Sequence, residues 1–259
     1  MSYSPKILAR CAILSAVVGS TVVASAQEKA KAEGKLPPAR EVIAQFVHAI
    51  GGKETVLKHR SAWIKGKWEI TNLGQNGDFE LVRAKPNKQI LRIRMGEQGQ
   101  VVNGYDGKVG WMLNPLGGPM LLEGKLLEQA SEEAEFYNVL RDENSFKSME
   151  TVGAGQFEGN AAIELKLVTR SGRESREFYD PKTGLLLGTK GVQETPQGPN
   201  EITIAYHDYK KLGDVLRPTR LAVKASGFEQ VLTISSVEYD SVPEKAFELP
   251  EEIKGLLKK

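Results

Sequence analysis

Cysteine is almost absent: Cys11 is the only one in 259 residues, and histidine occurs three times. Cys11 lies in a segment read below as an export signal, so the mature chain is expected to hold no thiol. That excludes disulfides and thiolate metal sites and leaves the fold to be held by its core. Arg10 precedes Cys11 and the apolar run follows it, the reverse of a lipid-anchor arrangement. His48, His59 and His207 have no second His, Asp or Glu at a metal-ligand spacing, and H-E-x-x-H and H-x-x-E-H are both missing. His207 and Asp208 are neighbours in a strand pattern and point to opposite faces, so they do not make a base and its orienter. No nucleophile elbow, P-loop or dinucleotide fingerprint follows a strand pattern. The expectation is therefore no catalytic residue, no metal and no cofactor. After the first 26 residues no apolar run approaches the ~20 needed to span a bilayer as a helix.

The ends of the chain carry more information. Lys6 and Arg10 form a positive n-region, Cys11 to Val23 is apolar or small, and Ala24-Ser25-Ala26 is a signal-peptidase pattern. Residues 1–26 are expected to be a cleavable signal peptide. The mature protein is then periplasmic, or secreted if the source has no outer membrane. Residues 27–36 are charged and Ala-rich without an apolar face and read as a flexible linker. Two of the 35 basic residues fall in the signal, leaving 33 against 33 acidic ones. A neutral balance argues against a nucleic-acid surface.

Residues 37–259 read as a single domain. After Pro37-Pro38, Val42, Ile43, Phe46, Val47 and Ile50 make one stripe at helical spacing, stopped by Gly51-Gly52. A second short helix is expected from Lys53 to Lys58. The period then changes to two: Ile64, Gly66, Trp68 and Ile70; Phe79 and Leu81; Leu91, Ile93 and Met95 alternate with mostly polar residues. Tyr105-Asp106-Gly107-Lys108 is a hairpin turn joining Val101–Tyr105 to Val109–Leu113. A helical insertion is expected after this fifth strand, with Met120-Leu121-Leu122 leading into a helix from Gly124 to about Arg141. Strand patterns resume around Ile163-Leu165-Leu167, Leu185-Leu187, Ile202-Ile204-Tyr206 and Leu221-Val223. The class is mainly β with helices. Alternation assigns Trp68, Leu81, Ile93 and Trp111 to one apolar face, larger than a small core needs. Part of that face is a candidate cavity for an apolar ligand.

The order of these features resembles the LolA-like superfamily, the periplasmic carriers of outer-membrane lipoproteins and the related outer-membrane lipoprotein-sorting proteins. The matching residues run from about Pro38 to Pro250. They include Ile64-Lys65-Gly66-Lys67, Gly77-Asp78-Phe79 leading to Lys85-Pro86-Asn87-Lys88, and Tyr105-Asp106-Gly107-Lys108 before Trp111. Later come Tyr179-Asp180-Pro181-Lys182-Thr183-Gly184-Leu185, Tyr209 to Pro218, and Phe247-Glu248-Leu249-Pro250. The resemblance implies an unclosed, curved antiparallel β-barrel with an N-terminal helix and a mid-chain helical insertion acting as lid. Its hydrophobic concave side would hold a lipid or lipoprotein acyl chain, without catalysis. The lining expected on this basis is Ile64, Trp68, Ile70, Phe79, Leu81, Leu91, Ile93, Met95, Trp111, Leu113, Met120 and Leu121. The carriers place an arginine just before the Pro-Asn after the second strand, bonded to the lid; here Lys85 stands there as the expected lid contact, without arginine's five-donor fork. Expected partners are acyl chains and an envelope membrane protein, with the chain itself a monomer. Two alternatives stay open: a periplasmic protein-interaction or regulatory module of the same fold, and an enzyme.

Overall fold

The computed structural model describes residues 36–258. The expected signal peptide, and the linker but for Leu36, lie outside the described residues. Helix α1 spans Ala39–Ala49 and buries Val42, Ile43 and Phe46, while Glu41 sits in its first turn, where the helix dipole favours an acid. It stops because Gly51 and Gly52 take φ of 121° and 88°, which side chains with a Cβ avoid. Helix α2, Lys53–Lys58, follows at once.

Thirteen antiparallel strands make one unclosed sheet. The first meander is β1 (Ser61–Ile70), β2 (Gln75–Ala84), β3 (Lys88–Arg94), β4 (Gln100–Tyr105), β5 (Gly110–Asn114) and β6 (Gly118–Leu122). Helix α3, Gly124–Ala134, leads to the second meander: β7 (Phe146–Phe157), β8 (Asn160–Thr169), β9 (Glu174–Tyr179), β10 (Leu186–Thr195), β11 (Gly198–Leu212), β12 (Val215–Ala225) and β13 (Phe228–Tyr239). Pairing of β1 with β13 joins the two, so β6 and β7 are left as the free edges of a curved half-barrel. Helix α4, Glu251–Leu257, closes the chain. No helix among the described residues is long and apolar enough to cross a membrane. The Asp106-Gly107 turn forms as expected: Asp106 Oδ1 accepts from the backbone N–H of Lys108 and Val109, 2.8 Å each, and Gly107 takes φ of 104°.

Several sequence expectations need correction. Met120, Leu121 and Leu122 do not lead into the helix but form β6, paired with β5, so the insertion follows the sixth strand. Pro119 is tolerated there because β6 is an edge. The helix ends at Ala134 rather than near Arg141. Phe136 N–H donates to Pro86 O and the Tyr137 hydroxyl to His59 O, and these bonds draw the chain out of helical geometry. Strands β7, β9 and β13 and helix α4 lie outside the sequence expectations. Bulges interrupt the period in β7 and in the pairing of β13, and β9 is mostly polar, with Glu177 turned inward.

The sheet has an inner and an outer face. On the inner face, α1 packs on Ile163, Leu165, Leu167, Tyr179 and Leu186. On the outer face, Phe247 and Ile253, in and just before α4, cover Val82, Ile90, Val102 and Trp111. Leu165, Leu167 and Trp111 have no exposed surface.

Candidate functional site

The pairing of β1 with its neighbours builds an apolar strip on the inner face. Ile64 stands opposite Leu81, which stands opposite Leu91; Gly66 stands opposite Phe79, which stands opposite Ile93; Trp68 stands opposite Leu232. A Cβ on Gly66 would lie 2.5 Å from the Phe79 ring, so this close ring-on-backbone packing requires glycine. Ile70 and Met95 continue the strip, Leu232, Ile234 and Val237 extend it onto β13, and Met112 faces Met120 on its far side. Trp68 Nε1 donates to Gln230 Oε1 at 2.9 Å.

Three of the expected lining residues lie elsewhere. Trp111 pairs with Gly104 and Leu121, and Leu113 with Val102, which puts Trp111, Leu113 and Leu121 on the outer face with α4. The reason is register. The side a strand residue faces is fixed by pairing with its neighbour, and β5 is apolar on both sides, so its own composition does not choose. The two faces differ in where they are covered. Outer Val82, Ile90, Val102 and Trp111 are at most 4 % exposed; on the inner face Ile64, Trp68 and Phe79 are about as deeply buried, but the aliphatic run Leu81, Leu91, Ile93, Met95 and Met120 beside them is only half-buried.

The insertion crosses this inner face. Leu127 of α3 rests over Gly110, and Gln129 is bonded to the Glu194 backbone of β10: Glu194 N–H donates to Gln129 Oε1 at 2.8 Å and Gln129 Nε2 to Glu194 O at 3.4 Å. Arg173, beyond the β8–β9 turn, holds Glu132 at 3.1 Å and Glu133 at 3.0 Å. Beyond α3 the chain dips into the strip with Phe136, which joins the cluster around Trp68 and Phe79. Arg83 Nη2 donates to the carbonyls of Glu133 and Glu135, 2.8 Å each. Lys85 does not take this part. It is exposed, its backbone N–H bonds Arg60 O, and among the described residues its amino group makes no hydrogen bond or ion pair. Lys85 lies beyond the end of β2. Arg83 is still within the strand on the inner face, opposite Ala62, whose small side chain leaves room for a guanidinium.

No protein-family model and no characterised protein sequence matches the chain. Among solved structures, a LolA superfamily protein from Nitrosomonas europaea aligns with TM-score 0.55 over 83% of this chain and 99% of its own, at 14% identity. The fold is LolA-like. A DUF1329 family protein from Desulfovibrio piger aligns with TM-score 0.57 over 82% of this chain and 98% of its own, at 11% identity.

Two charged clusters close one end of the LolA-like half-barrel. In the first, Arg141 from the insertion meets Glu177 of β9: Nε donates to the two carboxylate oxygens at 2.9 and 3.2 Å, and Nη2 lies 2.8 Å from Oε1. The Tyr179 hydroxyl also donates to Glu177, and Arg141 Nη1 donates to Asn138 O at 2.5 Å. Burial, the largest single influence, would weaken the guanidinium's hold on its proton, but the charge and hydrogen bond of Glu177 together with the nearby Tyr179 and Tyr206 outweigh it and raise the Arg141 pKa; burial pushes the Tyr179 hydroxyl well up. The second cluster centres on His59. Its ring stacks on Tyr239 at 3.9 Å and bonds Asp240 Oδ2 through Nδ1 at 2.9 Å and Asp214 Oδ1 through Nε2 at 2.7 Å. Burial opposes the imidazolium, but the bonds and charges of Asp240 and Asp214 prevail and raise its pKa above 6.5. A raised pKa stabilises the fold fully below the unfolded value and loses that contribution as pH rises through the folded one. Unfolding free energy should therefore fall as pH rises from about 6 to 8, and His59→Gln should flatten that slope in urea titrations. An unchanged slope in the variant would show that His59 titrates as it does in the unfolded chain.

Sequence reasoning missed both clusters and Arg83. His59 lies 155 and 181 residues from its two partners, beyond any motif. One signal was available: Phe79-x-Leu81-x-Arg83 places an arginine where the alternation calls for an apolar residue. Elsewhere in the LolA-like barrel, a groove of about 790 Å³ lies where Thr71 and Asn72 meet Phe228, at the end of the strands opposite the charged clusters. A second groove, of about 620 Å³, reaches Trp68 and Gly77 at the same end.

Proposed function

We propose that the protein is a non-catalytic periplasmic carrier that holds an acyl chain, lipid or lipoprotein on the inner face of its half-barrel. The observation that carries this reading is the contrast in coverage. Outer Val82, Ile90, Val102 and Trp111 are sealed by the chain's own C-terminal helix, while inner Leu81, Leu91, Ile93, Met95 and Met120 stay half-buried beneath an insertion that Gln129, Arg173 and Arg83 tie down beside the packing of Phe136. Aliphatic surface of this kind gains free energy when an apolar chain replaces water, at about 25 cal/mol per Å². The strip from Ile64 to Met95 and on to Met120 is mostly aliphatic, with methionines that adapt to an irregular chain. Helix α3 and the segment through Phe136 would lift to admit it.

Native mass spectrometry of protein taken from its own envelope, paired with hydrogen exchange on added phospholipid, tests this. The expected result is a co-purified lipid or acylated protein, and slower exchange from Leu121 to Leu140 with lipid bound. Identical exchange with lipid demonstrably bound would remove the insertion from the site. Co-purification of a protein partner without lipid would support the regulatory-module reading instead.

A further inference from the structure

The inner strip ends in positive charge. On three neighbouring strands, Arg83, Ala62 and Tyr239 stand side by side on one face, and Arg217 of β12 reaches across to donate from Nε to the Tyr239 hydroxyl at 2.7 Å. Among the described residues, neither Arg83 nor Arg217 forms an ion pair with a carboxylate, because the carboxylates close by hold partners of their own or belong to the insertion. Glu177 holds Arg141, Asp214 and Asp240 hold His59, and Glu133 turns to Arg173. Arg83 Nε is buried with no hydrogen-bond partner, and Nη2 is satisfied only by the two insertion carbonyls. Burial, followed by the nearby Arg217 charge, lowers the Arg83 pKa to about 10, a measure of how poorly this cation is compensated.

Two carbonyl oxygens converging on one guanidinium nitrogen occupy the place that two oxygens of an anion would take. Glu133 and Glu135, the acids closest to Arg83, are carried by the same segment and would leave with it. Lifting the insertion thus strips Arg83 of its acceptors and leaves two guanidinium groups, without counter-charge, at the base of an apolar strip. Once an acyl chain fills the strip in place of water, a cation there without a partner is strongly unfavourable, so the loaded open state calls for an anion in that position. We infer that Arg83 and Arg217 receive the anionic head of the acyl ligand, a carboxylate or a phosphate, which replaces the insertion's carbonyls as the lid opens. This rests on the carrier reading above and deepens it: the ligand is an acyl chain with an anionic head. The lid and the head compete for the same donors, so binding and opening are one exchange.

The test uses the mature protein and three probes of one chain length, laurate, dodecyl phosphate and dodecanol, titrated at about pH 8 by the fluorescence of Trp68 and its neighbours. Native protein should bind at least one of the anions roughly tenfold or more tightly than the alcohol, the scale of a desolvated charge pair. Preference for laurate alone points to a fatty-acid carboxylate, preference for dodecyl phosphate alone to a phospholipid head, and both support the inference. Arg217→Gln should bring the anion and alcohol affinities together, while Arg217→Lys, which keeps charge but not the fork, should retain part of the preference. Arg217→Gln is the first choice because it leaves the Arg83 contacts to the insertion intact; circular dichroism checks that it folds. Equal affinity for all three probes in the native protein, or a preference that survives both Arg217→Gln and Arg83→Gln, would overturn the head-group site and leave the carrier reading standing. Binding of none of the three would sink the carrier reading, and this inference with it.

Discussion

Glu177→Ala should lower the unfolding free energy by about 3–5 kcal/mol, the usual penalty for removing one partner of a buried ion pair. The carboxylate accepts three contacts from the Arg141 guanidinium and one from the Tyr179 hydroxyl, and its side chain is 5% exposed. Its loss leaves a buried cation with Asn138 O as its remaining acceptor and a buried hydroxyl with none. Replacing both members, Arg141→Met with Glu177→Leu, should recover most of the loss, because an apolar pair of similar volume has no desolvation penalty to offset. Urea unfolding followed by circular dichroism reads both variants. A loss below about 1 kcal/mol in Glu177→Ala would mean that water reaches the pair, which is the behaviour of a surface ion pair. Arg141 belongs to the insertion, so Glu177→Ala should also speed hydrogen exchange there, even in native conditions.

Ile93→Glu should abolish acyl binding, and Trp111→Ala should cost about 3–5 kcal/mol of stability while leaving the inner strip in place. The two residues lie two strands apart but on opposite faces. Ile93 is half-buried under the insertion, and a carboxylate there would sit unpaired against the acyl chain. The milder Ile93→Ala should lose less than about 2 kcal/mol, since a side chain that still meets solvent has fewer packing partners to lose. Trp111 has no exposed surface and fills the space between β4 and α4, so truncation opens a cavity. Thermal melts and lipid titrations separate the two effects. An Ile93→Glu protein that folds and binds lipid like the native chain would move the ligand away from β3.

Much of the architecture was legible because its causes are local. The α1 stripe, the two-residue period of β1 to β3 and the Asp106-Gly107 turn each depend on residues within one turn or hairpin. So does the stop at Gly51-Gly52, where a positive φ is needed. Nine of the twelve residues expected to line the inner face do lie on it, eight of them on or just beyond β1, β2 and β3, where the inward positions are nearly all apolar and charged residues fall mostly on the outward ones. β5 and β6 carry apolar residues on both sides, and that is where the expectation placed Trp111, Leu113 and Leu121 on the wrong face. The contact to the insertion, expected from Lys85, comes from Arg83 two positions earlier for a related reason. A resemblance pointed to the residue before Pro86, but only the end of the β2 ladder shows that Lys85 has left the sheet while Arg83 has not.

The sequence by itself determined the class: a chain with a single cysteine, a long antiparallel sheet, an N-terminal helix, a mid-chain insertion and no recognisable catalytic motif. Period and turn chemistry operate over a few residues and can be read one segment at a time. The tertiary structure alone decided which face each strand turned inward, where the insertion left its helix, and which charges met. Arg83 finds its carbonyls 50 and 52 residues away, Arg141 its acid 36 away, and His59 its second carboxylate 181 away. Such partners are set by the register of thirteen strands taken together, and register is a property of pairs of segments, not of either segment alone.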